Sequence, residues 1–152
     1  MEKKIIVTVG MSNSGKSTWA HTQWEEFPNL FVIVNRDKIR ELLFGYNEEN
    51  ISDYYLRTDI SGKEKQVTRF EDTMINEALE MGKTPIVDAT HLSIKYLERF
   101  KYWNVKVELR LFNITLKEAE IRNAGRTRKV PESILRKQYN QYVDIYKKVE
   151  AG

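Results

Sequence analysis

The sequence contains no cysteine, which removes disulfides, thiolate catalysis and cysteine-based metal sites together. Its two histidines, His21 and His91, are too few for a structural zinc site. No run approaches the ~18 consecutive apolar residues of a membrane span. The start, Met1-Glu2-Lys3-Lys4, leads straight into a core-type strand and lacks the layout of a signal peptide. Internal repeats, low-complexity tracts and linkers are also missing. These absences predict one domain over residues 1–152 and a cytoplasmic location, with no membrane partner. A strong excess of one charge is missing as well: 25 basic against 22 acidic residues leave +3, compatible with a polyanionic substrate but weak on its own. Oligomeric state is open, and a homo-oligomer fits.

What is present centres on Gly10-Met11-Ser12-Asn13-Ser14-Gly15-Lys16-Ser17-Thr18, a glycine, four residues and then Gly-Lys-Ser. The apolar run Ile5-Ile6-Val7-Thr8-Val9 precedes it and a helix-compatible segment follows from Lys16, the strand, loop and helix that a phosphate-binding loop requires. Gly10 and Gly15 open backbone angles closed to other residues, so the loop through Ser12, Asn13 and Ser14 can turn its N–H groups onto a di- or triphosphate at a helix N-terminus. Lys16 adds a point charge for the β- and γ-phosphates, Ser17 a hydroxyl for Mg2+, and Thr18 completes the nucleotide-binding set. The alternative, an incidental glycine-rich turn, leaves the Lys-Ser pair and its flanking elements unexplained.

Along the chain, residues 4–9 read as a buried central strand and Lys16 to Glu26 as the first helix. Leu30 to Val34 reads as a second strand ending at Asn35-Arg36-Asp37, Arg36 to Phe44 as a short helix stopped at Gly45, and Tyr46 to Gly62 as a polar loop or connector near the substrate. Apolar spacing at Val67, Phe70, Met74, Ile75, Ala78 and Met81 predicts a helix from Glu64 to Met81 with Gly82 as its stop. Thr84 to Asp88 is the third strand, Ser93 caps a helix to about Tyr102, and Val105 to Phe112 alternates as a fourth strand. Thr115 caps a helix to about Asn123, and Pro131 opens a last helix to about Val149. Strands alternating with helices predict an α/β fold, a parallel sheet wrapped on both faces, with ligands beyond the carboxyl ends of its strands.

That placement should gather the phosphate loop, Asp37 and Asp88. Asp37 closes the second strand, where a carboxylate facing the γ-phosphate can take the proton of a hydroxyl acceptor. Arg40 lies one turn on and could grip an anionic group of the acceptor bidentately; the competing reading is that Asp37 only caps its helix and pairs with Arg40. Asp88 is placed to orient Ser17 or the water shell of Mg2+, and with Arg36 and Thr90 it forms the candidate acceptor side; His91 beside it reads more readily as a surface residue. From Arg122 to Lys137 the chain carries Arg122, Arg126, Arg128, Lys129, Arg136 and Lys137 against the single acid Glu132. This reads as a flexible lid bringing Arg126, then Arg122 and Arg128, to a transferring phosphoryl group, or else as a solvated basic face.

In this order, Ser14-Gly15-Lys16-Ser17-Thr18-Trp19-Ala20, Asn35-Arg36-Asp37 with Arg40, Asp88 in a strand-end turn, Arg122-Asn123 with Arg126, and Val130-Pro131 followed by Leu135-Arg136 and Tyr139 resemble the kinase domain of the phage polynucleotide kinase family. The resemblance covers essentially the whole chain. It implies the P-loop kinase fold with an arginine-bearing lid, and transfer of the γ-phosphoryl group of ATP or another nucleoside triphosphate to a 5′-hydroxyl end of DNA or RNA. Carried over by position, it implies phosphate and metal binding by Lys16 and Ser17, proton abstraction by Asp37, engagement of the acceptor's 3′-phosphate by Arg40, and Arg126 as the lid arginine. The family's separate 3′-phosphatase signature, Asp-x-Asp-x-Thr, does not occur in this sequence. The Asp88-Ala89-Thr90 turn is also similar to that of zeta-toxin-type kinases, so phosphorylation of a nucleoside, a sugar or another small hydroxylated metabolite is the second reading, and a slow nucleotide-hydrolysing switch the third. Asp37 with Arg40 argues against the switch, which needs no acceptor base. Tyr46, Tyr54 and Tyr55 favour an oligonucleotide, since aromatic rings stack on bases.

Overall fold

An unbroken run of β-branched apolar residues suits a strand with helices above and below it, and β1 (Lys4–Val9) is such a strand, with Ile5, Val7 and Val9 in the core on one face of the sheet and Ile6 in that on the other. The computed structural model describes residues 2–11, 14–47, 50, 60–88, 93–126 and 130–151. In it β1 lies inside a four-stranded sheet of order β2-β3-β1-β4, with β2 at Phe31–Asn35, β3 at Thr84–Asp88 and β4 at Lys106–Leu111. Every pairing is parallel, and the registers Thr8↔Asp88 and Asn35↔Asp88 bring the carboxyl ends of β1, β2 and β3 level. β4 is an edge strand, so Val107, Leu109 and Leu111 are half-buried while Lys106, Glu108 and Arg110 stay exposed.

Helix α1 (Lys16–Glu26) covers the Ile6 face, packing Trp19 and Ala20 on Ile6 and Ile86. The opposite face carries the larger core, built with Ile39 of α2 (Arg36–Phe44), Val67, Ile75 and Leu79 of α3 (Ile60–Glu80), Ala119 of α5 (Leu116–Ala124), and Leu135, Tyr142 and Ile145 of α6 (Glu132–Ala151). Among the described residues no helix is long and apolar enough to cross a membrane.

Three expectations change. Asn35 ends β2 and caps α2 by accepting from the Lys38 N–H, so Asp37 sits inside the first helical turn and neither closes the strand nor caps the helix. The helix expected from Ser93 to Tyr102 is a short α4 (Ile94–Glu98) that tightens into a 3-10 turn over Arg99–Trp103. That tighter winding nearly eclipses residues three apart, and it stacks Phe100 on Trp103 with ring centroids 5.8 Å apart. The inward stripe of α3 runs Glu64, Val67, Glu71, Ile75, Ala78 and Leu79, so Phe70, expected in the core, is 46% exposed. Much of the segment 46–62 lies outside the described residues; within it, α3 already begins at Ile60.

Glu71 is 0% exposed and accepts from Arg36 Nη1 at 2.9 Å, Arg99 Nη1 at 2.6 Å and the Tyr96 hydroxyl at 2.9 Å. Arg36 reaches on to Thr68 and Glu64, and Arg99 pairs with Asp72 while lying over the rings of Tyr96, Phe100 and Trp103. Burial lowers the affinity of the Arg36 guanidinium for its proton, but Glu71 and Glu64 outweigh it and hold the group above the ordinary arginine value. Burial pushes the Tyr96 phenol up, and the neighbouring Glu71 charge adds to the shift, so Tyr96 remains a donor. Glu71→Ala leaves two guanidinium groups without their shared anion; breaking a buried pair this way costs about 3–5 kcal/mol. Thermal or urea unfolding is expected to show a loss of that order, and a loss below about 1 kcal/mol, the scale of an exposed pair, would contradict it.

Candidate active site

The loop after β1 is held close against β4. A Cβ on Gly10 would stand 2.6 Å from Ser14 Oγ, 3.0 Å from Phe112 Cβ and 3.2 Å from the backbone oxygen of Phe112, so close contact, and not the left-handed backbone angle expected of it, disfavours a side chain there. Gly15 takes φ +97° immediately before α1, an angle that favours glycine. The first turn of α1 has neither a side-chain cap nor an acidic residue, leaving a helix N-terminus suited to an anion. Lys16 is buried, and its Nζ donates to the Met11 carbonyl at 2.8 Å and to Ser14 Oγ at 3.3 Å.

Asp88, at the end of β3, gathers the neighbouring elements. Its Oδ2 accepts from Ser17 Oγ at 2.6 Å and from Asn35 Nδ2 at 3.0 Å, and its Oδ1 from Thr8 Oγ1 at 3.3 Å. A hydroxyl and a carboxylate this close are a hard oxygen pair of the kind Mg2+ takes alongside phosphates and water. No group of three or more His, Cys, Asp or Glu side chains suited to a metal occurs among the described residues. Nothing local in the sequence marks Thr8 and Asn35 as partners of Asp88; only the sheet register does.

Asp37, in the first turn of α2, is 61% exposed, and its Oδ1 accepts from Arg40 Nη1 at 2.7 Å. The bidentate edge of Arg40, expected to meet the acceptor, is engaged elsewhere: Nε donates to Glu64 Oε1 at 2.8 Å and Nη2 to Glu64 Oε2 at 3.1 Å. A guanidinium 2% exposed must be paired where it lies. Arg36, expected on the acceptor side, is likewise buried in the Glu64–Glu71 network.

The basic stretch is tied at its ends. Asn123 is buried, its Nδ2 donating to the Val130 carbonyl at 2.8 Å and its Oδ1 accepting from the Val130 N–H at 2.8 Å, while its backbone oxygen accepts from the Arg126 N–H. Arg122 pairs along α5 with Glu118 across a solvent-exposed turn, an interaction worth little in itself. Burial lowers the Lys16 ammonium to about 8; Asp88 and Asp37 act to raise it and Arg126 to lower it further. Ser12, Asn13, Thr90, His91, Arg128, Tyr54 and Tyr55 lie outside the described residues.

The family model described as AAA domain (AAA_33) matches residues 5–147. A curated protein of Autographa californica nuclear polyhedrosis virus, described as a putative bifunctional polynucleotide kinase/RNA ligase, is 27% identical over 152 aligned residues, covering 94% of this chain and 21% of that protein. Among solved structures, a chain of the Pnkp1/Rnl/Hen1 RNA repair complex is 25% identical with a TM-score of 0.79, covering 97% of this chain and 46% of that one. A gluconokinase from Sinorhizobium meliloti 1021 is similar in fold, at 20% identity and a TM-score of 0.58 over 91% of this chain and 74% of that one. The chain thus spans about a fifth of the curated relative and under half of the RNA repair chain. The architecture is the P-loop kinase fold, a parallel four-stranded sheet with helices on both faces.

Lys16 sets a pH dependence. Its ordinary value is 10.5, so between about 8 and 10.5 the unfolded chain holds more protons than the folded one, and this group's contribution to stability rises with pH across that window. An anion seated against the ammonium favours its charged form. ADP binding at about pH 9 is therefore expected to take up close to one proton, and its affinity to fall as the pH rises above about 8. Titration calorimetry in buffers of different ionisation heat measures the uptake; binding heats independent of the buffer would contradict it.

Proposed function

The chain belongs to the AAA domain family AAA_33, and from that membership we propose that it is an ATP-dependent phosphotransferase, a polynucleotide 5′-hydroxyl kinase domain acting on DNA or RNA ends. The observation that carries the reading is the Ser17 Oγ–Asp88 Oδ2 hydrogen bond of 2.6 Å beside the buried Lys16, with Asp37 in the first turn of α2, after the strand next to β3. Such a set serves phosphoryl transfer to a hydroxyl, with a cation for the phosphates, a carboxylate beside a phosphate-loop serine, and a second carboxylate to accept a proton. The descriptions of the viral relative and of the RNA repair chain support an oligonucleotide acceptor over a sugar. The proposal includes a cytoplasmic location.

In the proposed reaction the loop N–H groups and Lys16 hold the β- and γ-phosphates of ATP or another nucleoside triphosphate. Asp37 takes the proton of the acceptor 5′-hydroxyl as that oxygen bonds to the γ-phosphorus. The bond from the γ-phosphorus to the β–γ bridging oxygen breaks, and the nucleoside diphosphate leaves with the electron pair. Arg126, in the segment after α5, offsets charge on the transferring group, the role in which an arginine contributes on the order of 10³–10⁵ in rate. Ser17 and Asp88 would hold Mg2+, which when bound neutralises phosphate charge.

Labelled γ-phosphate is expected to pass to a 5′-hydroxyl oligonucleotide with a higher kcat/KM than to any free nucleoside or sugar. Asp37→Asn keeps size and removes the proton acceptor, so kcat should fall by ~10²–10⁴ with ADP binding retained. A sugar or nucleoside preferred over every oligonucleotide would make this a metabolite kinase, and near wild-type turnover by Asp37→Asn would remove Asp37 from the reaction.

A further inference from the structure

We infer that Glu64 is a positioning residue for Asp37, acting through Arg40, an inference that rests on the kinase reading above. Asp37 is 61% exposed, and an exposed aspartate pairing with a mobile arginine three residues on would hold no fixed geometry, because ordering both side chains cancels most of the gain. Arg40 is not mobile. Its side chain is 2% exposed, and Glu64 grips it at both Nε (2.8 Å) and Nη2 (3.1 Å), leaving Nη1 aimed at Asp37 Oδ1 2.7 Å away.

Two parallel N–H···O bonds fix the plane of a guanidinium as well as its position. Glu64 is itself anchored, since its Oε2 also accepts from Arg36 Nη2 at 2.7 Å, and Arg36 is locked to fully buried Glu71. A row of alternating charge, Glu71–Arg36–Glu64–Arg40–Asp37, therefore runs from the buried face of α3 out to the crevice. The rotational entropy of Arg40 is lost on folding, before any substrate arrives, and Asp37 meets a preorganised partner.

The test is a double-mutant cycle on the full chain, with γ-labelled ATP and a 5′-hydroxyl oligonucleotide and kcat referred to the ADP-binding fraction. Glu64→Gln cannot accept at both oxygens; a misplacement near 1 Å costs up to ~10²-fold, so kcat should drop by roughly 10–100-fold. KM for ATP should stay within about twofold of wild type, since Lys16 and Ser17 are held by Met11, Ser14 and Asp88. Glu64→Asp, which keeps both oxygens, should recover part of the loss. In an Arg40→Ala background, or Arg40→Lys should the alanine variant not fold, Glu64→Gln should add nothing further. Glu64→Gln within twofold of wild-type kcat overturns the inference, as does a loss that multiplies with that of the Arg40 variant, since Glu64 would then act through Arg36 and the fold. If the wild-type chain itself transfers nothing to the oligonucleotide, the kinase reading fails and carries this inference with it; an active wild type with an unaffected Glu64→Gln rejects the inference alone.

Discussion

The carboxylate of Asp88 is the joint on which the crevice depends. It receives hydrogen bonds from Thr8 on β1, Ser17 on α1 and Asn35 at the end of β2. Backbone pairing aligns strands, but it says nothing about how the loop after one strand sits against the helix after another. A carboxylate with three donors from three elements does, because each bond to an ionised group is about twice as strong as a neutral one. The same residue thereby sets the distance between the phosphate loop and the first turn of α2, where Asp37 stands.

Beneath that joint lies an ion network that costs desolvation and returns placement. Buried pairs often contribute little net stability relative to apolar replacements, because removing each ion from water offsets the attraction between them. Their contribution here is register. Arg36 and Arg40 on α2, Glu64 and Glu71 on α3, and Arg99 beyond α4 are mutually satisfied in one arrangement, and sliding α3 along α2 by one residue would strand buried charge. The aromatic groups around Arg99 add to the constraint, since a guanidinium flat over Tyr96, Phe100 and Trp103 has one preferred plane.

Local rules reach the strands, most helix ends and the phosphate loop, because glycines, caps and apolar runs act over a few residues. The bounds of α1, α2 and β3 coincide with those expected, and Ser93 and Thr115 cap helices as anticipated. They fail where a charge is buried. Glu64, between Lys63 and Lys65, reads as a solvated residue, and Glu71 follows Phe70 in a pattern that assigns the inward position to the phenylalanine. Their partners lie 24, 28 and 35 residues away along the chain, beyond the range of any periodicity. The placement of Arg40 on the face of Asp37 was visible from helical spacing; the occupation of its forked edge by a residue of α3 was not.

The position of β1 also bears on how the chain reaches this state. It is the first of the four strands of this sheet to be made and lies inside it, yet its two neighbours come from far along the chain, with Thr8 meeting Asp88 at a separation of 80 residues and Lys4 meeting Glu108 at 104. Contacts so distant in sequence must await closure of long loops, which slows folding relative to helical proteins of the same size. During synthesis Ile5 to Val9 would emerge as an unpaired apolar strand and remain so until β3 and β4 had followed, the interval in which such a strand is most exposed to association with other chains. The central strand that makes the finished sheet rigid is thus also the one with the longest wait for its partners.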